Sequence, residues 1–138
     1  MDLDSKRLFI TKARVRGVVE SPKTNSGRRI VDLSDEALVC FRRLRDLDLR
    51  LPQVFLDPRT EAPWKDDQAI RKRYWYPALD ALGLRRRNPY QTRHTFASQL
   101  LMAGANPLYV ANQMGHKDWG MIRLIYGRWI PSNESRWG

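Results

Sequence analysis

The sequence predicts an α+β fold that is mainly α-helical, with helices packed against a small antiparallel β-meander. Two observations predict it: short β-branched runs are confined to residues 7–33, and apolar residues recur at helical spacing along most of the chain after Ser34. A length of 138 residues suits one domain, so we expect a single domain over residues 1–138.

The predicted strands cover residues 8–10, 15–19 and 29–33, and a turn rich in Pro, Asn and Gly precedes the last of them. This turn carries Lys23, Arg28 and Arg29. A basic hairpin tip suits the phosphate backbone of a nucleic acid. An ordinary solvated turn explains the same residues equally well, so both interpretations stay open at this point.

Ser34 is a suitable cap for the first predicted helix, which has Leu38 on its inner side. Cys40 lies among apolar residues of this helix, and we expect it to be a buried thiol. Pro52 is expected to end the helix, and a short strand is expected over residues 53–56.

Helical spacing resumes over residues 66–82, where Pro77 should kink or divide the helix and Gly83 should stop it. Trp64 is expected to be a packing anchor just before this helix. A basic run, Arg85, Arg86 and Arg87, follows it. We favour phosphate contact over a role in solubility for these three arginines.

The last third of the chain predicts three further helices. Asn88 and Pro89 suit the start of the first, and Asn106 followed by Pro107 suits the start of the second. The expected buried side of the second helix consists of Leu108, Val110, Ala111 and Met114, and Gly115 should end it. A short amphipathic segment over residues 119–125 then carries Tyr126 beyond its end.

The charge of the chain predicts a polyanionic partner. Its 25 Lys and Arg residues exceed its 15 Asp and Glu residues, which gives a formal net charge of +10 and a pI near 10.4. Nucleic acid is the leading candidate, since the sequence has no apolar stretch of about 20 residues for a membrane. We also expect no signal peptide, a reducing cytoplasmic compartment because Cys40 is the only cysteine, and no metal or other cofactor.

Three short motifs then identify a family resemblance. The chain contains Tyr90-Gln-Thr-Arg93 continuing as His-Thr-Phe-Ala-Ser, then Met114-Gly-His116, and ten residues later Tyr126. This series resembles the catalytic half of the tyrosine recombinases, the phage-type integrases, which carry a His-x-x-Arg box, a Leu-Gly-His-like box and a nucleophilic tyrosine. Tyr90 departs from the pattern, because it stands where the family has a histidine.

The resemblance implies a catalytic set of Tyr126, Arg93, His116, Lys23 and Tyr90. Tyr126 would be the nucleophile, and Arg93 would grip two phosphate oxygens through its planar fork. His116 would donate to a phosphate oxygen or help to take the phenol proton. Lys23, in the hairpin before a strand, would protonate the departing 5′ oxygen. His94 is left as a structural residue.

The resemblance also sets expectations about the whole protein. The family has a first arginine in a box upstream of the small sheet, and no such box precedes Arg7. The chain is therefore expected to be a catalytic-domain fragment without a core-binding domain, weakly active or inactive by itself. The full-length enzyme is expected to be a homo-oligomer, a tetramer on DNA.

The predicted function is site-specific DNA recombination or integration through a 3′-phosphotyrosine intermediate, in a phage or other mobile element. A non-enzymatic basic DNA-binding module is the alternative, in which the hairpin and Arg85 to Arg87 only hold phosphates. A metal nuclease is disfavoured, because His94 and His116 have no carboxylate cluster near them in the sequence.

Overall fold

Helices make up most of the second half of the chain, and short paired strands lie in the first half. The computed structural model describes residues 1–15, 18–23, 25–47 and 53–130. The prediction of an α+β, mainly helical fold is confirmed. The chain divides into two compact units, one formed by Met1–Ser21 and Ile30–Arg87 and the other by Pro22–Arg29 and Asn88–Gly138. A single domain over residues 1–138 stays a prediction.

The strands before residue 33 form two separate pairs and not one meander. β1 (Arg7–Ile10), β2 (Ala13–Val15), β3 (Val18–Glu20) and β4 (Arg29–Asp32) follow one another along the chain. β1 is hydrogen-bonded to β4, and β2 pairs antiparallel with β3. The single strand predicted over residues 15–19 was wrong, because Val15 faces Val18 in that hairpin.

α1 (Asp35–Asp46) begins at the predicted cap, since Ser34 Oγ accepts a hydrogen bond from the Ala37 amide at 3.2 Å. Leu38 is buried, as predicted. The prediction of a buried Cys40 was wrong, because this cysteine is exposed. Two residues advance an α-helix by about 200°, which places Cys40 on the side opposite Leu38. The predicted helix end at Pro52 lies outside the described residues.

A small hairpin follows α1, formed by β5 (Leu56–Asp57) and β6 (Ala62–Pro63). The strand predicted over residues 53–56 therefore starts later than expected. Asp57 is buried, and its carboxylate accepts a hydrogen bond from Arg73 Nη1 at 3.2 Å. This pairing stabilises a charge that would be unfavourable alone in the interior.

The helical stretch over residues 68–81 is divided, as Pro77 predicts. α2 (Gln68–Ile70) passes into a π-helical turn, Arg71–Trp75, and continues as α3 (Tyr76–Ala81). Pro77 has no N–H to donate, and its ring would clash with the carbonyl four residues earlier in a regular α-helix. The wider turn just before the proline accommodates both effects. Trp64 packs edge-on against Tyr74 with ring centroids 5.8 Å apart, which supports its predicted anchoring role.

The second unit contains α4 (Gln91–Met102), α5 (Pro107–Met114) and α6 (Gly120–Tyr126), with a 3₁₀ turn, Gly127–Trp129, after α6. Their inner faces form one apolar cluster of Ala97, Leu101, Val110, Ala111, Met114, Ile122 and Tyr126. Tyr126 is thus the last residue of α6, where the sequence had placed it beyond the helix end.

α5 shows how its sequence signals work. Asn106 Oδ1 accepts a hydrogen bond from the Leu108 amide at 2.8 Å, which confirms the predicted cap. Val110, Ala111 and Met114 are buried as predicted, whereas Leu108 is exposed. Leu108 was assigned wrongly because it lies about 200° around the helix from Val110. Among the described residues, no helix combines the length and apolar character needed to cross a bilayer.

Candidate active site

The C-terminal end of α5 is the point around which the polar groups of the second unit gather. Gly115 ends the helix in the left-handed conformation, with φ of 77°. The amides of Gly115 and His116 donate back to carbonyls in the last two turns, at 3.1 and 2.9 Å. The carbonyls of Gln113 and Met114 remain at the helix end for other donors, and the helix macrodipole makes this end partly negative.

Two arginines donate to these carbonyls. Arg93, on α4, donates through Nη2 to the Met114 carbonyl. Arg29, on β4, donates through Nε to the Gln113 carbonyl at 2.9 Å and through Nη1 to the Gly27 carbonyl at 3.1 Å. The partly negative helix end therefore holds two guanidinium groups on neighbouring carbonyls.

Neither Arg29 nor Arg93 forms an ion pair with a carboxylate within residues 1–15, 18–23, 25–47 and 53–130. Asp118 acts on the pKa of His116, the third member of this cluster. Burial lowers the pKa of Arg29, and the nearby Arg93 guanidinium lowers it further. Two guanidinium groups held close together without an ion pair are typical of a site that receives an anion.

His116 belongs to the same cluster. Its pKa is lowered first by burial and then by the Arg93 and Arg29 guanidinium groups, against an opposing effect of Asp118. These effects favour the neutral form of the imidazole. An anion beside the two arginines would offset their effect and make protonation of His116 easier.

Tyr126 is both a core residue and a partner of this cluster. Only 2% of its surface is exposed. Burial raises the pKa of its phenol, with an opposing effect from the Arg93 guanidinium and a smaller raising effect from Tyr90. Because Arg93 acts on the pKa of both Tyr126 and His116, the structure brings together these three sequence-predicted residues. Their catalytic roles stay predictions.

The phenol of Tyr126 has a partner that the sequence did not assign. His94 Nδ1 and Tyr126 Oη are hydrogen-bonded, and the two ring centroids lie 5.8 Å apart. Tyr90, at the box position where the family has histidine, is 61% exposed and packs edge-on against His94 at 5.7 Å. The imidazole next to the phenol therefore comes from position 94.

The sequence contained usable signals for both unexpected residues. Arg29 and Val31 are the half-buried residues of β4, and alternation along a strand puts residues two apart on one face. His94, Ala97 and Leu101 are spaced so that they share one helix face, which is the buried side of α4. Pattern alone thus places both side chains inward, although it does not give their partners.

The other basic site residues lie on the surface. Lys23 and Arg28 are exposed in the segment Pro22–Arg29 of the second unit. The hairpin predicted for this segment was wrong, because the strands on either side, β3 and β4, pair with β2 and β1 and not with each other. Arg28 and Arg29 were expected to act alike, but the Arg29 guanidinium lies at the end of α5.

The basic run belongs to the first unit, and its three arginines are exposed. Arg86 forms a two-point ion pair with Asp80, at 2.9 Å from Nε and 2.6 Å from Nη2. The Arg87 carbonyl accepts a hydrogen bond from Trp75 Nε1 at 2.6 Å. Arg86 is therefore already engaged by an acidic residue, and the expected phosphate contacts of this run stay a prediction. In the described part of the chain, no three His, Cys, Asp or Glu residues come close enough to hold a metal ion.

The sequence is similar to known integrases. The family described as Phage integrase matches residues 1–129. The prophage integrase IntR of Escherichia coli K12 is 38% identical, over 79% of this chain and 32% of its own length. The chain thus spans about a third of the length of this curated relative.

Solved structures share the fold. The Tn1549 transposon integrase, solved in complex with circular intermediate DNA, superposes with a TM-score of 0.70 at 22% identity, over 96% of this chain and 47% of that one. The crystal structure of XerA recombinase gives a TM-score of 0.67 at 21% identity, over 98% of this chain and 45% of that one. Because the family match covers nearly the whole chain and the fold agrees, this protein belongs to the phage integrase family, the tyrosine recombinases.

Proposed function

We propose that this chain carries the chemistry of site-specific DNA recombination, in which a DNA strand is cleaved and rejoined through a 3′-phosphotyrosine on Tyr126. One observation carries the proposal. Two guanidinium groups, Arg93 and Arg29, converge with His116 at a helix end without an ion pair among the described residues, and Arg93 also acts on the phenol of Tyr126.

The cationic cluster fits a phosphodiester. Negative charge builds on the non-bridging oxygens as a nucleophile attacks phosphorus. Hydrogen-bond donors stabilise this charge most when they are already fixed in position before the reaction. Arg93 and Arg29 are fixed by main-chain carbonyls. A planar guanidinium can give two parallel hydrogen bonds to phosphate oxygens, and a neutral His116 can donate one more.

The proposed step balances without water. Tyr126 Oη forms a bond to phosphorus and loses its proton, while the bond from phosphorus to the 5′ oxygen breaks. The departing 5′ oxygen takes up a proton, and we assign the exposed Lys23 as the donor of that proton. The ester bond to the 5′ oxygen is replaced by an ester bond to the tyrosine oxygen. A second strand can therefore be joined without an external energy source.

The proposed partner is double-stranded DNA. The net charge of +10 attracts it at long range, and Lys23, Arg28, Arg85 and Arg87 are exposed cations that can meet backbone phosphates. For the whole protein we propose action as a homo-oligomer, a tetramer on two duplexes, encoded by a mobile element. Residues 1–138 would supply the catalytic domain of that assembly.

A non-enzymatic DNA-binding module remains the second candidate, because one observation favours it. Tyr126 is 2% exposed and its phenol is hydrogen-bonded to His94, so the nucleophile is inside the second unit in this structure. Catalysis requires this phenol to reach a phosphate, whereas binding alone does not.

Tyr126→Phe separates the two candidates. Phenylalanine keeps the ring in the apolar cluster and removes only the hydroxyl, so the fold should persist. The sequence alone offered no second guanidinium upstream of Arg7, but Arg29 lies beside Arg93 at the end of α5. We therefore expect the wild-type chain, incubated with a nicked duplex that carries its recombination site, to give a detectable protein–DNA adduct on a denaturing gel. The variant should give none and bind DNA with the same salt dependence.

Tyr74→Phe is the matched control, because it removes a phenol hydroxyl from the other compact unit. Adducts should form with this control as with the wild type. Adducts that survive Tyr126→Phe would show that another residue is the nucleophile, and a wild-type chain that binds but never forms an adduct would favour the binding module.

A further inference from the structure

The two histidines of the site have different partners. His116 lies with Arg93 and Arg29, and these guanidinium groups and Asp118 are the charged groups that act on its pKa. His94 is instead hydrogen-bonded through Nδ1 to Tyr126 Oη. One imidazole therefore lies in the cluster with the two arginines, and the other contacts the phenol.

The position of His94 is held on several sides. Its backbone belongs to α4, and its ring is half-buried between Tyr90, edge-on at 5.7 Å, and Tyr126, tilted at 5.8 Å. Tyr126 in turn packs against Trp129 at 5.9 Å. An aromatic group enclosed in this way keeps its nitrogen aimed at one oxygen, which is the geometry that proton transfer requires.

The phenol needs a base more than an exposed tyrosine does. Burial makes its ionisation harder, and the nearby Arg93 only partly opposes that effect. A phenol that attacks phosphorus must lose its proton as the new bond forms. Neutral imidazole carries a lone pair on one ring nitrogen and accepts protons near neutral pH, so an imidazole at hydrogen-bonding distance is chemically competent.

We propose that His94 is the general base that takes the proton of the Tyr126 hydroxyl, a proposal that rests on the proposed function of Tyr126. The Tyr126 O–H bond breaks as Oη bonds to phosphorus, and the proton moves to His94 Nδ1. The 5′ oxygen leaves with a proton from a separate donor. When a 5′ hydroxyl attacks the phosphotyrosine, the imidazolium returns the proton to Oη.

This assignment leaves the box position, Tyr90, without a part in proton transfer. Tyr90 occupies the box position but has no proton-accepting nitrogen. It packs on the His94 ring from the exposed side, so we assign Tyr90 a positioning role. The groups that face the His94–Tyr126 pair in the described residues are Tyr90, Arg93 and Trp129.

The test compares His94→Gln with His116→Gln in single-turnover adduct formation. Glutamine can hold a hydrogen bond to the phenol but does not accept a proton at neutral pH. Loss of a general base typically slows a reaction by about 10²- to 10⁴-fold. We expect His94→Gln to slow adduct formation by that range, and far-UV circular dichroism should show that its fold persists.

Replacing Tyr126 with 3,5-difluorotyrosine, a more acidic phenol, provides the decisive second measurement. A phenol that ionises more easily needs a base less, so the fluorinated His94→Gln protein should regain much of its lost rate. The fluorinated His116→Gln protein should not, because the proposed partner of His116 is the phosphate and not the phenol. If His94→Gln misfolds, His94→Ala with added imidazole replaces it, and the same rescue is expected.

The outcomes separate the two proposals. A wild-type chain without adducts overturns the proposed function and the role of His94 together. Adducts at the wild-type rate in His94→Gln overturn the role of His94 alone. A slow His94→Gln protein that the acidic phenol does not rescue shows that His94 only holds the ring in place.

Discussion

Substitution of Gly115 by alanine should damage the end of α5 in two distinguishable ways. The backbone there has φ of +77°, a conformation that side chains other than glycine rarely adopt, and a β-carbon would lie 2.9 Å from Arg29 Nη1 and 3.1 Å from Arg29 Cζ. Gly104 is a matched control. It also has a positive φ, +85°, but a β-carbon there would have nothing within 4 Å.

The two costs differ in size and cause. Forcing alanine into the left-handed region costs about 1–2 kcal/mol at either glycine. At Gly115 the Arg29 guanidinium must also move. It would give up its hydrogen bonds to the Gln113 and Gly27 carbonyls, each of which contributes about 0.5–1.5 kcal/mol. The two bonds together contribute about 1–3 kcal/mol. Because the end of an arginine is flexible and can return to water, we expect the lower part of this combined range, an additional loss of about 1–2 kcal/mol.

A double-mutant cycle measured by urea unfolding isolates the second cost. Gly115→Ala should destabilise the chain more than Gly104→Ala does. In an Arg29→Ala background, where no guanidinium is displaced, Gly115→Ala should cost only as much as Gly104→Ala. Equal losses for the two glycines in the wild-type background, with no coupling to Arg29, would refute the contact between Gly115 and the guanidinium.

Three further predictions address the site. Arg29→Ala should slow adduct formation by about 10²- to 10³-fold. Arg28→Ala removes the same charge but should mainly weaken DNA binding and its salt dependence. Similar effects of the two substitutions on cleavage would contradict a separate role for Arg29. Lys23→Ala should slow cleavage, and a substrate with a better 5′ leaving group should restore the rate unless Lys23 is only a phosphate contact.

The third concerns acid. The pKa of His116 lies below its ordinary value near 6.5, so the unfolded chain binds this proton first and stability should fall as the pH drops through about 6.5. Between pH 7.5 and 5.5, the free energy of unfolding should fall less in His116→Gln than in the wild type. An equal fall in both proteins would contradict this prediction.

Local signals predicted the second unit well, because its helix ends depend on neighbouring residues. Asn106 caps α5 and Gly115 ends it, and both follow from backbone hydrogen bonds within a few positions. Strand pairing was less predictable. β1 pairs with β4 across the intervening hairpin, and such partners are set by contacts far apart in sequence.

In the candidate site, too, local patterns predicted some residues, and contacts between distant residues were missed. Motif spacing predicted that Arg93, His116 and Tyr126 share one site, and the structure brings them together. Arg93 lies on α4, Tyr126 ends α6, and His116 follows the glycine that ends α5. Arg29 and His94 were missed as partners, because their contacts join residues 84 and 32 positions apart. Charge alone grouped Arg29 with Arg28, and only three-dimensional packing separates them.

The pair of arginines at the end of α5 has a consequence for folding. Arg29 and Arg93 repel each other, and burial adds to the unfavourable energy. An anion that binds the folded chain and not the unfolded chain stabilises it in proportion to the logarithm of its concentration. Inorganic phosphate or sulfate should therefore raise the melting temperature more than chloride at equal ionic strength. The two arginines lower the stability of the chain at this helix end, and a bound phosphate would restore it.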